Sequence, residues 1–207
     1  SEKLASIVFF PVILMALILI SGYSLSSLNL LGEISAWTFV ASLLATGSLI
    51  YLSAILFSNR LGIFQQVQSI DLAYQFRRSI CSIKEMGFIN AITLIALTST
   101  VLYLAKINLY LALKIAPGNW DSMTYHLARM AYYLQQGSLD SFNAGYWAQV
   151  IHPKNATILM IFAFLGSSRN ENWTQLVQYM SYWLAIFSIY ANSRILKIGR
   201  AGSLFAA

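Results

Sequence analysis

The sequence predicts an all-α integral membrane protein with about four transmembrane helices, plus juxtamembrane and short re-entrant helices in an outer loop. Three observations predict it. Hydrophobic residues make up 58% of the 207 residues and charged residues only 10%, against about 25% charged in a soluble domain. Apolar runs near the length that crosses a bilayer recur along the chain. Lys and Arg are shared unevenly among the connections, the pattern that orients membrane helices.

The first run, residues 4–23, is broken only by Pro11 and Ser21. It is long for a signal peptide and no clear small-x-small cleavage site follows it, so it is expected to be a retained span. Residues 36–57 form the second span and 88–111 the third, with Lys106 near its far end, where its ammonium can snorkel toward the interface. The connection 24–35 carries no Lys or Arg, whereas the loop 58–87 carries Arg60, Arg77, Arg78 and Lys84. Positive charge favours the cytoplasmic side, so the N-terminus and the basic loop are expected inside and the first short loop outside. Ile63, Val67, Ile70 and Tyr74 recur at helical spacing within that loop, as in a helix lying on the membrane surface or packed on other protein.

The outer loop, 112–155, leads to residues 156–166, apolar but about half the length a crossing needs. The fourth span, 174–196, is followed by Lys197 and Arg200. If 156–166 crossed, Arg194, Lys197 and Arg200 would end outside; if it does not cross, all three reach the cytoplasm. Length and charge both select the second solution, in which 112–173 lies on the outer side and 1–207 is a single membrane domain.

Composition also excludes some functions. The net charge of +6 is not arranged as a basic stripe with interleaved aromatics, so nucleic acid is not an expected partner; the lipid bilayer and its anionic headgroups are. The lone Cys81 rules out an internal disulfide and a cysteine metal cluster. The spans hold almost no ionisable residues, which argues against a transport pathway.

The outer loop concentrates the chemistry. Pro117-Gly118-Asn119 ends the third span, Asp121 and Ser122 are suited to start a helix, and Gly137 to stop it. Helical spacing puts Met123, Leu127, Met130 and Leu134 on one face and Asp121, Tyr125, Arg129 and Tyr132 on the other. Such a helix is expected to lie in the membrane surface with its polar face toward water or a cavity. Each residue also has a simpler role open to it. Asp121 can cap the helix, Arg129 can pair with lipid phosphate, His126 and His152 can be structural, and Trp120 and its aromatic neighbours can form an interfacial belt. The sequons at Asn155 and Asn172 are short enough to arise by chance and are assigned no function.

The order of residues is more specific than their types. Trp120-Asp-Ser-Met-Thr-Tyr-His-Leu-Ala-Arg129, then Gln135-Gln-Gly-Ser-Leu-Asp140, then His152-Pro153, resembles the first outer loop of polytopic GT-C glycosyltransferases. The likeness is to the bacterial branch related to protein mannosyltransferases and the lipid A aminoarabinose transferase, and it covers residues 116–199. It implies transfer of a sugar from a polyprenyl-phosphate donor at the outer face of a bacterial inner membrane. Asp121 would be the catalytic carboxylate, as general base or as ligand of a divalent cation; Arg129 and His126 would face the donor phosphate. Tyr125, Trp120 and His152 would shape the site. Position 128 is Ala where the family commonly has Pro, and Lys154-Asn155 stands where relatives often carry a second Pro and an acidic residue. Family members also have more spans, so the chain is expected to be an N-terminal portion. These departures leave a second expectation open, a non-catalytic membrane subunit of a larger complex derived from this fold.

Overall fold

The computed structural model describes residues 2–58 and 88–207, and those residues form helices with no strand among them. The basic loop, with its expected surface helix and Cys81, lies outside the described residues. In order, the helices are α1 (Glu2–Ser27), α2 (Ile34–Ser58), α3 (Phe88–Lys114), a π-helical turn (Ser122–His126) running into α4 (Leu127–Gln136), the single turn α5 (Ala148–Ile151), α6 (Asn155–Gly166), a 3₁₀ turn (Glu171–Thr174), α7 (Gln175–Ile195) and α8 (Arg200–Ala206). The chain divides into two compact units, residues 1–44 with 108–207, and residues 45–107.

Three of these helices are long and apolar enough to cross a membrane, over Phe9–Ser27, Ile34–Tyr51 and Ile92–Lys114. Their apolar side chains face outward: Phe9, Phe39, Leu49, Ile95 and Leu102 are all exposed, an arrangement consistent with a lipid surrounding. The chain is all-helical among the described residues, and its three apolar helices suggest a membrane protein. The expected fourth span coincides with α7, whose 21 residues reach about 30 Å at 1.5 Å per residue. Gln175, Gln178, Asn192, three tyrosines and three serines lower its hydropathy, so that length and apolarity do not coincide there as they do in α1–α3. By the same rise α6, with 12 residues, reaches about 18 Å, well short of the hydrocarbon thickness.

The larger unit has one core. Ile18 and Leu25 from α1, Leu31 and Trp37 from the first loop and the start of α2, Met130 and Tyr133 from α4, Leu139, and Ile158, Ile161 and Leu165 from α6 pack together. Gly22 lets α1 and α6 close up, since a Cβ there would overlap Ile158 Cγ2; small residues allow this approach between membrane helices. The short first loop is bound to the end of α4. Leu31 N donates to Gly137 O at 2.9 Å, Leu139 N to Ser26 Oγ at 2.7 Å, and Trp37 Nε1 to Leu31 O at 2.8 Å. The first loop is thereby joined to the turn that follows α4. The end of α3 is closed by amides from the other end of the same unit: Asn172 Nδ2 donates to Leu113 O and Gln175 Nε2 to Ile115 O, meeting carbonyls that a helix terminus leaves open.

Candidate functional site

The stretch after α3 becomes helical at Trp120, one residue before the expected start, and stops at Gly137, whose φ of 72° suits glycine. The cap is neither Asp121 nor Ser122. Asn119 Oδ1 accepts the Ser122 N–H at 2.7 Å, and Asp121 is itself helical with no capping hydrogen bond. Its carboxylate is exposed and free of that structural role.

The expected two faces survive only in part: Asp121 and Tyr132 are exposed and Met130 is buried as expected. A π turn takes in one more residue than an α turn, so positions after His126 are rotated against those before it. Arg129, expected toward water with Asp121 and Tyr125, is fully buried, whereas Met123, expected on the apolar face, is 58% exposed. Tyr133 and Met130 turn inward with Arg129. The wider turn also presents Thr124 O to the side, where Gln149 Nε2 donates to it at 2.7 Å and ties α5 to this helix.

Arg129 organises the surface from beneath. Its Nη1 donates to His152 O at 2.7 Å, and its Nη2 to Pro153 O at 3.2 Å and Thr157 Oγ1 at 2.6 Å; Nε is buried without a partner. His152 precedes a proline, which favours the extended backbone (ψ 146°) that it adopts and that carries its carbonyl to the guanidinium. Burial lowers the Arg129 pKa, opposed by the Tyr133 and Tyr125 phenols. The group is still a cation at any physiological pH.

Above this brace, Tyr125 brings the two histidines together. Its ring lies 4.2 Å from His126 and stacks at 4.9 Å on His152, which is followed at 6.1 Å by Trp147. Burial first, then the Arg129 charge and His152, hold the His126 pKa below its ordinary value, while Asp121 pulls it upward. Its Nδ1 is buried and has no hydrogen-bond partner. His126 is thus a neutral imidazole with an unmet nitrogen, beside an exposed carboxylate.

Asp121, Tyr125, His126 and His152 are therefore gathered at one surface, while Trp120 is 75% exposed at its edge. Arg129 is near but faces inward. Among the described residues no group of three or more His, Cys, Asp or Glu is placed to hold a metal ion. Among the described residues Asp121 is the carboxylate that acts on His126. Sequence reasoning missed Thr157 and Gln149, and read Trp147 only as part of an interfacial aromatic belt. It read Lys154 only as a departure, but Lys154 Nζ donates to Leu139 O and lies 5.8 Å from the Tyr133 ring centre. Only the Pro153 signal, which sets the backbone before it, pointed toward this neighbourhood. The sequon asparagines are both engaged, Asn155 Oδ1 accepting from Tyr23 OH at 3.0 Å and Asn172 donating to α3.

What fold and site together define is a helical chain with three helices apolar enough to cross a membrane and a carboxylate–imidazole surface after the third. Comparison with family models, with curated proteins and with solved structures finds no match to this chain.

Proposed function

We propose that the chain is a GT-C-type membrane glycosyltransferase, or the N-terminal module of one, that transfers a sugar from a polyprenyl-phosphate donor on the outer face of the membrane. The observation that carries this reading is Asp121: exposed, not used as a cap, and close enough to His126 to act on its proton affinity. Asp121 takes the proton of the acceptor hydroxyl or amine as that atom attacks the anomeric carbon, and the bond to the polyprenyl phosphate breaks with its electron pair going to the phosphate oxygen. The neutral His126 stands where it can hydrogen-bond the leaving phosphate. Arg129 serves as a positioning residue that holds the His152–Thr157 segment, and Tyr125 and His152 wall the site, with Trp120 at its rim. In this reading α7 is the fourth span, residues 112–173 lie outside, and the membrane is a bacterial inner membrane.

One observation favours a second reading, a non-catalytic subunit of a larger membrane complex. With Nη1 and Nη2 of Arg129 engaged by protein oxygens, the described residues of this surface offer no free guanidinium to an anionic leaving group, which such chemistry usually needs.

The test is transfer of radiolabelled sugar from polyprenyl-phosphate donors in membranes containing the chain or its Asp121→Asn variant. Transfer by the wild type that is lost in the variant is the expected result. Absence of transfer by wild-type protein shown to be folded overturns the reading in favour of the subunit.

A further inference from the structure

A groove of about 520 Å³ opens between the last turns of α3 and the first half of α7, within the range of roughly 300–1,000 Å³ found for small-molecule sites. The lining takes Asn108 from α3, and Gln175, Gln178 and the three aromatic rings of Tyr179, Tyr182 and Trp183 from α7. None of its lining residues is charged. Gln175 is held by the Ile115 carbonyl, but Asn108 and Gln178 make no side-chain hydrogen bond among the described residues. The Trp183 Nε1 is buried with no acceptor. Its ring is wedged between two phenols, with Tyr182 at 5.7 Å and 76° and Tyr179 at 6.2 Å and 68°.

The Asn108 and Gln178 amides are exposed and open to a ligand, and the buried indole N–H of Trp183 is costly unless something meets it. Amides offer donor and acceptor together, as a hydroxyl does, and aromatic faces accept the apolar face of a saturated ring. The lack of charge disfavours phosphates, carboxylates and amines, which would enter without a counter-ion.

We propose that this groove binds an uncharged pyranose, its ring against the Tyr182–Trp183 wall and its hydroxyls on the Asn108 and Gln178 amides. None of these residues belongs to the Asp121 surface, so the proposal goes beyond the transfer reading and is measured without turnover. A free glycoside and the headgroup of a glycolipid present the same ring.

The experiment is saturation-transfer NMR on the full chain in phosphatidylcholine nanodiscs. The probes are methyl glucopyranoside and methyl mannopyranoside, with glucuronate and glycerol as comparisons. Saturation of the neutral glycosides is expected, with glucuronate and glycerol bound at least about tenfold more weakly. Gln178→Leu and Trp183→Phe, each losing a hydrogen-bonding group, should weaken binding about tenfold; Ile189→Leu, on the same helix outside the groove, should not. A glucosyl lipid doped into the disc that displaces the free glycoside identifies a headgroup source; failure to displace it identifies a free sugar, and either supports the groove as a sugar site. Absence of saturation, equal response to glycerol, or indifference to both groove variants in folded protein overturns it and leaves the groove as a surface for helix packing.

Discussion

Arg129 donates from Nη2 to the Thr157 hydroxyl at 2.6 Å, with its whole side chain sealed from solvent. This bond links α4 to α6, and with the two carbonyl contacts it makes one side chain the brace for everything from His152 to Thr157. A buried cation held only by neutral oxygens has been taken out of water without a counter-charge, so its hydrogen bonds must all be kept.

Arg129→Lys should therefore lower stability by about 2 kcal/mol even though charge is retained, because one ammonium cannot reproduce the fork. Arg129→Met, which strands three acceptors, should cost about 3 kcal/mol or more. Thermal unfolding in detergent measures both. In Arg129→Met/Thr157→Val the costs should sum to less than the separate losses, and strict additivity would show that the pair is not coupled.

Two glycines should resist a methyl group. Gly137 has φ 72° and a Cβ there would sit 2.7 Å from Asn29 O; at Gly32 it would sit 2.6 Å from Leu134 O. Both neighbours are backbone and cannot swing away. Gly137→Ala and Gly32→Ala should each cost more than about 1 kcal/mol, read as a fall in melting temperature, whereas Gly145→Ala, with open space around it, should be close to neutral.

The His126 imidazole should make the protein acid-sensitive. Its folded pKa lies below the ordinary 6.5, so the unfolded chain binds the proton more readily. The neutral form's contribution is complete above about pH 6.5 and is lost as pH falls from there through the folded pKa. Melting temperature should drop over that interval in the wild type and drop less in His126→Gln. Equal slopes in the two proteins would remove His126 as the cause.

Topology is open to direct test. In a Cys81→Ser background, cysteine placed at the exposed Asp121 should react with an impermeant thiol reagent added from the outer side, and cysteine placed at Arg77 should not. Labelling of both positions from one side would refute the four-span assignment.

Much of the fold could be read along the chain because its signals are local. Apolar length marked α1, α2 and α3 to within a few residues, Pro117-Gly118 ended α3, Gly137 ended α4, and the short apolar run 156–166 became α6. The candidate site was legible in part. Asp121, Tyr125, His126 and His152 do gather, but the α-helical projection that placed Arg129 beside them faced it the wrong way. A single π turn is invisible to a fixed 3.6-residue period, and it moves every later residue round the helix.

The sequence by itself determined a helical chain, the positions of its apolar helices and the loop in which polar chemistry is concentrated, because bilayer thickness and backbone satisfaction act on each segment separately. Only the tertiary structure decided which polar groups are available. Asn119 rather than Asp121 caps the helix, Arg129 is buried by carbonyls 23 and 24 residues away, and Asn108 is brought beside Gln178 and Trp183. Those outcomes depend on contacts between segments distant in sequence, and no local pattern of residues encodes them.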